Sequence, residues 1–95
     1  MAVVAYITNK PDSSGRERYE AAFHRIDELD VRHPEGRLIH VSWITDGQMR
    51  VLDVWQSEQA SKAFYTMLAP ILSEFGMELS GPPELGELVQ VITGP

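Results

Sequence analysis

RLIHVSWITDGQMRVLDVW, residues 37–55, reads as two β-strands around a tight turn. Asp46-Gly47 is the turn signal, because a two-residue type I′ turn needs positive φ at both central positions. With that loop set, the register follows by counting outward. Thr45 opposes Gln48, Trp43 opposes Arg50, Val41 opposes Leu52 and Ile39 opposes Val54. On the opposite face Ile44 pairs with Met49, Ser42 with Val51, His40 with Asp53 and Leu38 with Trp55. Strand side chains alternate between faces, so each set occupies one side of the sheet. The first set is nearly all apolar. The second mixes apolar bulk with a hydroxyl, an imidazole, a carboxylate and an indole, and His40 and Asp53 become cross-strand neighbours.

The flanking sequence supplies the other elements. Val3 to Thr8 is β-branched and aromatic and reads as a first strand. Ser14-Gly-Arg-Glu17 fits a capping box, and behind it Tyr19, Ala22, Phe23, Ile26 and Leu29 recur at helical spacing. Pro34 predicts that this helix has stopped by His33. Ser57 is a natural N-cap for a second helix carrying Ala60, Ala63, Phe64, Met67, Leu68, Ile71, Leu72 and Phe75 on one face. Pro70 either kinks that helix or opens a new one, and Gly76 suits its C-terminal end. Leu88 to Ile92 reads as the last strand. The order β-α-β-β-α-β implies an α+β domain spanning residues 1–95, a ferredoxin-like fold with a four-stranded antiparallel sheet and both helices on one face. Neither face carries the Lys, Glu and Thr of a wet surface, so the second face is expected to cover a second copy of the sheet.

Composition narrows the function classes. The 95 residues are 43% hydrophobic and 23% charged, as in ordinary folded domains. No cysteine is present, which removes disulfides, thiolate metal sites and a cysteine nucleophile. The net charge of −6 and the lack of any Lys/Arg cluster argue against nucleic acid as a partner. The apolar run from Ala2 to Ile7 is too short for a signal-peptide core, and no stretch approaches transmembrane length, so a cytoplasmic protein with no membrane partner is expected. The three histidines lack metal-ligand spacing, and no glycine-rich phosphate loop or Gly-x-Ser-x-Gly elbow occurs; no metal is expected.

HVSWITDGQMRVLDVWQSEQASKAF (residues 40–64), followed by MLAPIL (67–72), resembles the antibiotic-biosynthesis-monooxygenase-like family of the dimeric α/β-barrel superfamily. The shared features are a His-bearing second strand, a VW-S-x-x-A strand-to-helix junction and a proline break in the second helix, where Ala69 replaces the usual glycine. The resemblance implies a ferredoxin-like homodimer joined through its sheet, with a pocket between sheet and helices. Among relatives of this kind are cofactor-free quinone-forming monooxygenases, polyketide cyclases, isomerases and haem-degrading enzymes. The first strand has no Asn and the second helix no His for haem, so haem degradation is not expected and no cofactor is implied.

Two accounts of His40 and Asp53 stay open from sequence. In one, Asp53 holds a single tautomer of His40, and the imidazole removes a phenolic or enolic proton from an apolar or aromatic small molecule. The deprotonated aromatic then passes an electron to O₂ in an oxygenase, or reacts as a carbanion in a cyclase or isomerase. In the other, the pair is a satisfied buried contact that fixes strand register. Trp55, Ser42, Tyr65 and Tyr6 are candidate substrate-binding residues, with core packing as the alternative for each aromatic. Trp43 beside Arg50 suggests a cation–π pair.

Overall fold

The computed structural model of the chain describes residues 1–10, 16–28 and 34–94. Ser14, Leu29 and His33, assigned above to a helix cap, an apolar stripe and the stop of the first helix, lie outside the described residues. The elements are β1 (Val3–Thr8), α1 (Arg16–Glu28), β2 (Arg37–Thr45), β3 (Gln48–Trp55), α2 (Glu58–Glu74) and β4 (Glu84–Glu87). All pairings are antiparallel, in the order β2-β3-β1-β4. This is the ferredoxin-like α+β fold.

The hairpin adopts the register that its turn dictates. Asp46 and Gly47 have φ of 52° and 74°, as a type I′ turn requires. Every pair from Thr45↔Gln48 to Ile39↔Val54 matches the count outward from the turn, His40↔Asp53 included. One pair differs. The expected Leu38↔Trp55 is replaced by Arg37↔Trp55, because a β-bulge between Arg37 and Ile39 leaves Leu38 unpaired. The bulge carries Arg37 to the helix-covered side, where its guanidinium sits 5.4 Å from the centre of the Phe64 ring.

Helix α2 starts as its sequence indicates. Ser57 is extended, and its Oγ accepts from the Ala60 amide at 3.1 Å. Pro70 neither ends nor restarts the helix, which runs unbroken from Glu58 to Glu74. The proline is exposed, so the Thr66 carbonyl that loses its partner faces water rather than the core. Gly76, at φ 72°, closes the helix: its amide bonds to Ser73 O, and that of Met77 to Leu72 O.

The last strand lies earlier than expected. β4 is Glu84–Glu87, paired with Val3–Tyr6, while Leu88 to Ile92 is unpaired but for one bond from the Leu88 amide to Ala2 O. Antiparallel pairing explains this. Glu87 already opposes Val3, the first residue of β1, so the following apolar residues run past the end of their partner strand. Val89 and Ile92 are therefore 93% and 81% exposed.

Both helices cover the sheet face that carries Val3, Ala5, Ile7, Asp53 and Trp55, all buried. Val3, Ala5, Trp55 and Phe64 form the centre of the core, and each large ring so buried contributes roughly 1.5–3 kcal/mol relative to exposure. The opposite face presents Tyr6, Val41 and Trp43, the last two exposed. No helix among the described residues is long and apolar enough to cross a membrane.

Candidate functional site

β3 lies between β2 and β1, so Asp53 has His40 on one side and Ala5 on the other. Ala5 contributes only a methyl group, which leaves room for Tyr65 to descend from α2. The Asp53 side chain is 1% exposed and holds two donors: His40 Nδ1 lies 2.5 Å from Oδ1, and the Tyr65 hydroxyl donates to Oδ2 at 2.5 Å. A buried carboxylate is tolerated only with such partners. The carboxylate accepts, so Nδ1 carries the proton of the neutral ring and Nε2 is left as the acceptor. Burial first, and then the hydrogen bond to Asp53 and its charge, push the Tyr65 pKa well above the ordinary tyrosine value of 10.0. Tyr65 thus remains a donor across the physiological range.

The far side of the imidazole meets α1. The Tyr19 hydroxyl is 3.3 Å from His40 Nε2 and 2.9 Å from Ser42 Oγ. The Phe23 ring lies 5.6 Å from that of Tyr19 and 6.4 Å from the imidazole. One connected chain therefore runs Tyr65–Asp53–His40–Tyr19–Ser42, drawn from both helices and two strands.

This chain borders a cavity between sheet and helices, walled by Ile7, Phe23, Val51, Phe64, Leu68 and Met77 among others. The inner space is about 60 Å³, enough for a few water-sized groups. It shares Tyr65, Leu68, Leu72, Met77 and Leu79 with an outer hollow of about 220 Å³ beneath α2. Asn9, directly after β1, also lines the inner space; its Oδ1 is buried and accepts no hydrogen bond.

The structure brings His40, Asp53, Ser42 and Tyr65 together and separates two others from them. Tyr6 points to the opposite face of the sheet, because it alternates with Ala5 and Ile7. There it accepts from Arg50 Nη1 at 3.1 Å, and its ring lies 6.2 Å from that of Trp43. Arg50, expected over Trp43, thus reaches the Tyr6 hydroxyl instead. Trp55 is wholly buried, 5.3 Å from Phe64 and 6.0 Å from Tyr65, so those two rings face the cavity and the indole packs behind them. Tyr19, Asn9 and Arg37 were not singled out from the sequence. Tyr19 had a signal, as the one hydroxylated member of the α1 stripe; Arg37 had none, because the bulge decides its side.

No protein-family model matches the chain, and no curated protein matches it. Solved structures do. A protein assigned as an antibiotic biosynthesis monooxygenase from Deinococcus radiodurans superposes with a TM-score of 0.62, covering 98% of both chains at 14% identity. SnoaB, a cofactor-independent oxygenase from Streptomyces nogalater, gives 0.56 over 98% of this chain and 96% of its own, at 17% identity. The ActVA-Orf6 monooxygenase of Streptomyces coelicolor, in complex with Nanaomycin D, gives 0.58 over 99% and 92%, at 19% identity. The chain shares the ferredoxin-like fold of these three proteins. Within that fold the sheet–helix interface is where His40, Asp53 and Tyr65 meet. Among the described residues no three His, Asp or Glu side chains converge as a metal site would require.

Proposed function

We propose that the protein is a small cofactor-independent monooxygenase-like enzyme that deprotonates an aromatic or polyketide-type molecule at His40. One observation carries this: the buried Asp53 carboxylate fixes the imidazole of His40 on the wall of an aromatic-lined cleft. Asp53 has both oxygens engaged and serves as orienter. His40, 24% exposed, is the group that can change protonation without stranding a charge in the core. In this reading the hydroxyl edge of the substrate enters the inner space while its rings rest against Leu68 and Leu72 in the outer hollow. Loss of that proton leaves an electron-rich anion able to pass an electron to O₂ without metal or flavin.

The likeness to SnoaB and to ActVA-Orf6 supports this chemistry as analogy of fold. The exposed sheet face and the apolar overhang from Leu88 to Ile92 support a homodimer through the sheet. Oxygen uptake with a panel of hydroquinones tests the reaction. Wild-type protein should consume oxygen, and His40→Ala should slow it about 100-fold or more, as for loss of a general base. Turnover without oxygen uptake assigns a cyclase or isomerase instead. Turnover unchanged in His40→Ala and Asp53→Asn removes this pair from the chemistry, and binding of the hydroquinones without any turnover leaves a small-molecule-binding dimer.

A further inference from the structure

Both nitrogens of the proposed base are already engaged. Nδ1 is held by Asp53, and the Tyr19 hydroxyl lies 3.3 Å from Nε2. A neutral imidazole has one acceptor lone pair, so a substrate hydroxyl cannot reach Nε2 while Tyr19 occupies it. The Tyr19 oxygen retains acceptor capacity: with its own proton on Nε2, it can accept from Ser42, 2.9 Å away, and from one further donor. Both Tyr19 and His40 line the inner cavity.

We infer that Tyr19 is the group that meets the substrate, and that His40 receives the proton through it. This rests on the proton-abstraction role proposed above and adds the atom at which it begins. The substrate O–H proton passes to Tyr19 Oη as the Tyr19 proton passes to His40 Nε2. The products are the substrate anion and an imidazolium whose Nδ1–H stays bonded to the Asp53 carboxylate. No electrons are exchanged with any other group. Ser42, with its hydroxyl toward Tyr19 Oη, holds that oxygen in line and stabilises the charge that develops there. The ligand class follows: a flat molecule with an acidic hydroxyl at its edge, a phenol or enol, rather than an aliphatic alcohol.

Bound para-nitrophenol reports the step without turnover, since its anion absorbs visible light and its neutral form does not. At a pH where the free probe is protonated, wild-type protein should bind it and show the anion band. Tyr19→Phe keeps the ring and its packing; among bound probe molecules the ionised fraction should fall about tenfold or more, as expected for loss of one hydrogen bond to the anion. Ser42→Ala should lower that fraction in the same direction and less. A Tyr19→Phe protein that ionises the probe as well as wild type overturns the inference, because His40 then takes the proton directly. A wild-type protein that does not bind the probe, or leaves it protonated, overturns it too. Tyr19-dependent ionisation without oxygen uptake from hydroquinones upholds the relay and removes the oxygenase reaction.

Discussion

At Asp53 a single carboxylate decides how much of the site is architecture and how much is chemistry. Its oxygens are inaccessible to solvent and depend on His40 and Tyr65. Tyr65→Phe removes one donor and leaves Oδ2 buried and unpaired, so urea denaturation should show a loss of about 1–3 kcal/mol. The same residue sets an alkaline limit. Its folded pKa lies above its unfolded value, so the folded state holds a proton that the unfolded state releases. That stabilisation is fully present below the unfolded value near 10.0 and declines as pH rises beyond it. Melting temperatures compared between wild type and Tyr65→Phe should converge above that pH and differ by a constant amount below it. Sequence alone could place His40 beside Asp53, because the turn dictates which residues face each other. It could not place Tyr19 beside His40, since the rotation of a helix over a sheet depends on packing across the whole interface. Tyr6 was misplaced for a simpler reason: its chemistry suggested a pocket, while strand alternation puts it on the opposite face from Ala5.

At the scale of elements, the hairpin turn and the two ends of α2 were legible and the last strand was not. Gly36 shows how tightly β2 and α2 meet: its φ is +87°, and a Cβ there would lie 2.8 Å from that of Ala60. Gly36→Ala should therefore destabilise the protein by about 1–3 kcal/mol, through backbone strain together with the clash. Ser57→Ala, which deletes the α2 cap, should cost about 1 kcal/mol. Thermal denaturation of the two variants checks both, and the glycine should be the more costly site. β4 was displaced in expectation because apolar, β-branched character was taken as the mark of a strand. Pairing needs a partner of matching extent, and β1 ends before Val89 and Ile92 can use it.

Over the whole molecule, one sheet face is buried under both helices and the other carries Val41 and Trp43 in the open. A homodimer through this face predicts a sedimenting species of twice the chain mass and a melting temperature that rises with protein concentration. Val41→Glu with Trp43→Glu should shift the protein to monomer, because facing carboxylates would be buried without partners. Retention of a dimer by this double variant would move the contact away from the sheet. The fold as a whole was readable because four short strands and two amphipathic helices, in that order, have few ways to bury their apolar sides. The site was half readable, as far as the sheet carries it.

The bulge at Leu38 makes β2 one residue longer than its pairing with β3 requires. Removing Leu38 would join Arg37 directly to Ile39, opposite Trp55 and Val54, with every other pair unchanged. Chain length is thus adjustable at this point without moving His40. A continuous β2 of that kind would lie flatter at its entry and would no longer hold an isolated leucine out toward solvent.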